Sequence, residues 1–259
     1  MIQLRRTSIG GITVGPNQKK NSIPGGTTRQ PLFDVTADAR HAFNVLKGGG
    51  TAIVPNTIGY SAIGGSGAAL RRIFEAKRRS ASKRNAMVAN LAIQREVQQC
   101  SRRGRAIISA IVEDYDLPLG CIAPCRLDHP MIAKLDNETV SGSTWDNGTV
   151  AILLNAGRFH AALTRLSEEA MFPLFGSSAN LSLTGTKFRV EDIEPEIISV
   201  ADIVIDHGLQ PFHRYQASST LLNVESLEVV RFGSCYPDIA YIVQRYFRVE
   251  LPKAPERGV

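Results

Sequence analysis

No apolar run in this 259-residue chain approaches the roughly 18 residues that a membrane-spanning helix needs, and no apolar core follows the arginines of Met1-Ile2-Gln3-Leu4-Arg5-Arg6. A cytoplasmic protein with no membrane attachment is expected. Paired cysteines are lacking too: Cys100, Cys121, Cys125 and Cys235 show no CxxC spacing, which argues against a zinc ribbon and a secreted disulfide framework and leaves reduced thiols. The five histidines, His41, His129, His160, His207 and His213, include no pair spaced as ligands on one helix face, so no metal site is expected. GxGxxG after a strand, GxxxxGK[ST], GxSxG and HExxH are all missing, which removes the dinucleotide, P-loop, nucleophile-elbow and zinc-protease templates. There is no internal repeat, heptad run or low-complexity tract.

What is present is an ordinary globular composition, 43% hydrophobic and 21% charged, in a length that suits one large domain or two small ones. The net charge of +6 is unevenly placed. From Arg71 to Arg105 eleven basic residues face only Glu75 and Glu96, a local +9 that leaves the rest of the chain at −3. A charge concentrated in this way fits either a surface that meets phosphates, of a nucleotide or a nucleic-acid backbone, or a solvated helix face.

Residues 1–32 are rich in Gly, Thr, Asn and Lys and read as a partly flexible extension; residues 33–259 read as a single domain ending in a helix. The pattern predicts a helix over 38–46 closed by Gly48-Gly49-Gly50, a strand over 51–54 and a loop over 55–60. It then predicts a basic helix from about Leu70 and a helical stretch over 86–112 with a break at Gly104. A strand over 149–154, a helix over 159–170 and a short strand into Ser177-Ser178-Ala179-Asn180 follow. Strands over 201–205, 220–223 and 229–232 and a last helix over 239–247 complete the reading. Such alternation predicts an α/β layer protein with its chemistry in loops at strand ends.

Lys77, Arg79 and Lys83 stand at i, i+2 and i+6, a spacing that suits a loop folded round a polyphosphate better than one helix face. Ser178-Ala179-Asn180 follows a strand and offers hydroxyl and amide groups, as do Ser219-Thr220 before a strand and Arg231-Phe232-Gly233 at the end of the next. Together with the glycine-rich helix end and Pro-x-x-x-x-Tyr of Gly48 to Tyr60, these motifs in this order resemble the YrdC/TsaC family, the threonylcarbamoyl-adenylate synthases, over about residues 34–235.

The resemblance implies an α/β fold, a twisted open mixed sheet with helices, and a cationic face. It implies ATP as substrate with Mg²⁺, bicarbonate and L-threonine or another amine as partners, and threonylcarbamoyl-AMP and pyrophosphate as products. This is the first stage of threonylcarbamoyladenosine formation on tRNA, with a downstream carbamoyl-transferring protein. Carried over position by position, it makes Lys77 and Arg79 catalytic candidates and gives ATP contacts to Arg79, Lys83, Thr149, Ser178, Asn180, Thr186 and Arg231. Asn56, Tyr60, Val88, Asn90, Leu153 and Ser219 then border the acceptor pocket.

The acceptor side departs from the family. Asn56, Thr57 and Ile58 replace the usual Thr-Asp/Glu-Thr, Val88 or Asn90 stands for a histidine, and Leu153 stands for an arginine. Leucine has no donor for an α-carboxylate, and Arg158 is the nearest possible substitute. Two other readings therefore stand beside threonylcarbamoyl-AMP synthesis: a relative with a different acceptor or a carbamoyl phosphate donor, and a non-catalytic RNA- or nucleotide-binding module.

Overall fold

The computed structural model describes residues 31–78, 83–145 and 147–255. Most of the predicted extension, and Arg79, lie outside them. The chain runs α1 (Val35–Lys47), β1 (Thr51–Asn56), β2 (Gly59–Gly64), α2 (Gly67–Ala76), β3 (Ala86–Val88), α3 (Leu91–Val97) and α4 (Arg102–Ser109). It continues through β4 (Leu119–Pro124), α5 (Pro130–Ala133), α6 (Asn137–Ser143), β5 (Thr149–Leu154), α7 (Arg158–Glu169) and β6 (Phe175–Ser178). The last elements are α8 (Pro195–Ile198), β7 (Ile203–Val204), β8 (Leu221–Asn223), β9 (Val229–Arg231) and α9 (Tyr236–Phe247). Among the described residues the strands form one mixed sheet of order β7-β1-β2-β6-β3-β5-β4-β8-β9.

Local chemistry sets the elements. The Asp34 carboxylate accepts from the Ala37 amide at 3.0 Å and caps α1, whose Ala39, Ala42, Phe43 and Leu46 recur at helical spacing and bury one face. The predicted loop over 55–60 is corrected to a tight hairpin, with Asn56 opposite Gly59 and β2 continuing to Gly64. Gly59 has φ +112°, and a Cβ there would lie 2.3 Å from Thr186 Cγ2, so the position needs glycine on both counts. The predicted helix over 86–112 is corrected as well. Ala86-Met87-Val88 is a strand between β5 and β6, and only 91–97 and 102–109 are α-helical.

The two faces of the sheet differ. Met87, Cys121, Val150, Ile152, Leu222 and Phe175 point to a large core shared with Ile107, Ile111, Ile239 and Ile242 of the covering helices. Ala52, Val54 and Ile63 point the other way, under α1 and α7, against Phe43, Leu46, Phe159 and Leu163. The period-2 alternation of a strand puts Ser61, Ser178, Ala86, Ala151, Leu153, Gly120 and Leu221 on this second face, and there a cavity opens beside α1 and α7.

One buried histidine holds this edge together. His160 of α7 is fully buried with Nε2 3.1 Å from the Leu153 carbonyl oxygen, and burial depresses its pKa to about 4. The folded pKa lies below the unfolded value of 6.5, so the unfolded chain binds more protons and stability falls as pH drops from about 6.5 towards 4. This group is expected to remove about 2 kcal/mol of stability between pH 7 and pH 5. Urea midpoints at the two pH values check this, and a His160→Gln variant is expected to lose that part of the pH dependence.

Candidate functional site

The cavity has a volume of about 190 Å³ and is floored by the small and apolar residues of β2, β6, β3, β5, β4 and β8. Lys77, Lys83, Arg84 and Arg231 line it, with Ser178, Asn180, Thr186 and Ser219, and among the described residues no carboxylate side chain is in the lining. The register separates its ends. Lys83 and Arg84 lead into Ala86, which lies beside Ala151, and the Arg84 Nε donates to the Thr144 carbonyl at 2.8 Å. Arg231 lies opposite Leu221, Leu221 beside Gly120, and Gly120 opposite Leu153, so Arg231 serves the other end.

Arg231 is exposed, and its guanidinium donates to the Ser219 carbonyl at 2.9 Å and to Ser219 Oγ at 3.0 Å. This holds the fork over the cavity rim. Gly233 makes the arrangement possible, since a Cβ there would lie 2.3 Å from the Ser219 carbonyl carbon and 2.4 Å from the Ser218 oxygen. Thr186 lies on a loop tied down by Glu194, which accepts from Lys187 Nζ at 2.9 Å, Thr184 Oγ1 at 2.8 Å and the Leu181 amide at 3.2 Å.

Lys77 differs from the other cations. It is 3% exposed, and its ammonium donates to the Ser178 carbonyl, to the Asn180 carbonyl at 2.5 Å and weakly to Asn180 Oδ1 at 3.5 Å. In return Ser182 donates its amide and hydroxyl to the Lys77 carbonyl, at 3.1 and 2.8 Å. The end of α2 and the Ser178–Ser182 loop are thereby locked together, which makes Lys77 a positioning residue in this geometry.

Tyr60 lines the cavity, but its hydroxyl lies within hydrogen-bond distance of the Gly208 carbonyl (2.9 Å), Asp206 Oδ1 (3.1 Å), the His207 amide (3.0 Å) and Gln210 Nε2 (3.2 Å). Burial, reinforced by the Asp206 carboxylate, raises its pKa well above the ordinary tyrosine value. It is a neutral pin for the 206–210 loop.

Three sequence candidates stand outside the lining residues. Thr149 donates its hydroxyl to Asn147 Oδ1 at 2.7 Å, within its own turn. Asn90 caps α3, with Oδ1 accepting from the Ile93 amide at 3.0 Å and Nδ2 donating to Glu168 at 2.6 Å. Asn56 is one step removed: its Nδ2 donates to Ser61 Oγ at 2.8 Å, and Ser61 lines the cavity. At the acceptor end Val88 and Leu153 are register neighbours, and Leu153 packs with Ile58, Ala156 and Phe212, an apolar wall. Arg158 is exposed and is not among the lining residues, so it does not replace the missing donor. Ser61, Arg84 and Trp145 line the cavity without a sequence signal beyond their residue types.

Part of the basic segment is neutralised outside the cavity. Arg71 pairs with Glu138, Arg72 with Asp202 at 2.7 Å and Arg95 with Glu113 at 3.0 Å, while Arg105 caps the Cys100 carbonyl. Acids far away in sequence meet the local excess. Exposed pairs of this kind contribute little stability, but they lower the net charge that these three arginines present.

The Sua5/YciO/YrdC family model, described as telomere recombination, matches residues 44–233. The chain belongs to this family. A Streptococcus mutans protein, smu.1377c, superposes with a TM-score of 0.69 at 20% identity over 82% of this chain and 93% of that one. Sua5 from P. abyssi, solved with L-threonine, gives a TM-score of 0.57 at 20% identity and covers 73% of this chain but only 51% of Sua5. HypF in a phosphate- and nucleotide-bound form gives 0.52 at 14% identity, over 76% of this chain and 24% of HypF. No curated protein matches the chain. The mixed α/β sheet is thus the YrdC-like fold, as the sequence motifs imply. Among the described residues no helix is long and apolar enough to cross a membrane, and no group of three or more His, Cys, Asp or Glu residues gathers as a metal site.

Proposed function

We propose that this chain binds ATP in the cationic cavity and forms a carbamoyl-adenylate from it. The observation that carries the reading is the lining itself: Lys83, Arg84 and Arg231 together with hydroxyl and amide groups. The ligands of relatives support it, L-threonine in Sua5 and phosphate and nucleotide in HypF.

In the reaction an amine adds to the carbon of bicarbonate with loss of water, giving a carbamate. A carbamate oxygen then attacks the α-phosphorus of ATP, and the bond to the β-phosphate oxygen breaks to release pyrophosphate. The protein needs no nucleophile of its own. It must neutralise the phosphates and hold the carbamate in line, tasks that fit Lys83 and Arg231 with Ser178, Asn180 and Thr186 in the same lining. Arg79 belongs to the same sequence motif and is assigned to the phosphates with them. Mg²⁺ belongs to this reading as the counter-ion that arrives on the nucleotide.

With L-threonine as acceptor the product serves threonylcarbamoyladenosine formation on tRNA. The apolar wall of Ile58, Val88 and Leu153 favours a second reading, in which the acceptor is an amine without a carboxylate. The paired arginines of the basic segment count against the RNA-binding module.

The test is incubation of the protein with ATP, Mg²⁺, bicarbonate and pooled amino acids and amines, followed by pyrophosphate release and the mass of any new adenylate. Lys83→Ala and Arg231→Ala are each expected to weaken ATP binding about 10-fold or more, the first with little change in stability and the second with the loss of the two bonds to Ser219. Unaltered ATP affinity in both variants, or tight salt-resistant tRNA binding without pyrophosphate release, would overturn the reading.

A further inference from the structure

We infer that Trp145 is the stacking platform for the base of the nucleotide, and so the residue by which the cavity tells a nucleotide from a plain polyphosphate. This rests on the nucleotide reading above. Trp145 is the chain's single tryptophan, and its half-buried side chain lines the cavity. The other aromatic residue in the lining, Tyr60, is buried with its hydroxyl tied to the 206–210 loop. Among the described residues no ring or cation stacks on the indole, whereas Phe33, Phe43, Phe159, Phe212 and Phe232 each have an aromatic neighbour.

The backbone that carries the indole is held in place. The Trp145 amide donates to the Thr149 carbonyl at 3.0 Å, and the Gly148 amide donates back to the Trp145 carbonyl at 2.8 Å, closing a tight turn at the start of β5. Arg84 Nε grips the carbonyl of the preceding Thr144 at 2.8 Å, which brings a cation to the same end, where Lys83 also lines the cavity. A π-face beside two cations matches a ligand that carries an aromatic ring and, one sugar away, a phosphate. A surface for phosphate alone has no use for an ordered indole.

Calorimetric titration of ATP and of inorganic tripolyphosphate, both with Mg²⁺, into wild type, Trp145→Ala and Trp145→Phe tests this. Wild type is expected to bind ATP more tightly than tripolyphosphate. Trp145→Ala is expected to lose roughly 10- to 100-fold in ATP affinity with less than about 2-fold change for tripolyphosphate, and Trp145→Phe to retain most of the ATP affinity. Because the protein has one tryptophan, wild-type fluorescence gives an independent readout: ATP is expected to quench or shift it and tripolyphosphate to leave it nearly unchanged. Equal weakening of both ligands in Trp145→Ala, or unchanged ATP binding, would overturn the stacking role while leaving the anion site standing. A wild type that binds neither ligand would overturn both.

Discussion

Lys77→Met is expected to lower stability by about 3 kcal/mol and to abolish measurable ATP binding, whereas Lys83→Ala leaves stability nearly unchanged. The difference lies in where the two charges end. Lys77 is buried, and its ammonium is spent on the carbonyls of Ser178 and Asn180, with Ser182 bonding back to its own carbonyl. Methionine keeps the stem but removes the donor, leaving the Asn180 carbonyl without its ammonium partner and the Ser178 carbonyl with the Asn180 amide, and each such loss costs on the order of 1–3 kcal/mol. The Ser182 amide and hydroxyl still bond to the carbonyl of residue 77, but the Ser178–Asn180 stretch loses its link to the ammonium, and the hydroxyl and amide groups assigned to the nucleotide are held less firmly. Urea unfolding and ATP titration of the two variants measure both effects. Wild-type stability in Lys77→Met together with lost turnover would instead make Lys77 a group that acts on the substrate directly.

How far this site was legible in the sequence follows from the kind of signal each part carries. Helix α1 announces itself by a cap, a helical apolar period and three glycines. Strand β5 does so as a short apolar run after a glycine turn, and it is buried along its whole length. Strand β2, Gly-Tyr-Ser-Ala-Ile-Gly, is hidden because its small residues lower strand propensity while the sheet takes advantage of their size. Strand β3 is only three residues long, too short to show a period of two, and its Ala and Met favour helices until neighbours on both sides supply the ladder. The cation spacing at Lys77 and Lys83 located the cavity but not the division of labour, because the partners of Lys77 are backbone carbonyls that no residue type reveals. The +9 segment is legible only in part for the converse reason: Glu113, Glu138 and Asp202 reach three of its arginines from other parts of the chain, while Lys83 and Arg84 line the cavity.

Threonine-dependent pyrophosphate release by the wild type is expected to be at least about 100-fold less efficient than release with an amine that carries no carboxylate. Leu153 decides this. Its neighbours across the sheet are Val88 and Gly120, and it packs with Ile58, Ala156 and Phe212, so the place where the family resemblance calls for an arginine offers no hydrogen-bond donor. A carboxylate desolvated against that wall goes unpaired, at a cost of several kcal/mol, and several kcal/mol is a factor of 100 or more in kcat/KM. Arg158 lies outside the lining, and Arg231 is engaged with Ser219 at the rim. Leu153→Arg supplies a fork at the missing position. It is expected to raise threonine turnover relative to the uncharged amine, while lowering stability by a few kcal/mol, because without threonine the new guanidinium joins four cations and an apolar wall. Pyrophosphate release with threonine and with amines of similar size, in wild type and Leu153→Arg, measures the switch. Efficient wild-type turnover of threonine would refute the altered pocket and restore threonine as the acceptor.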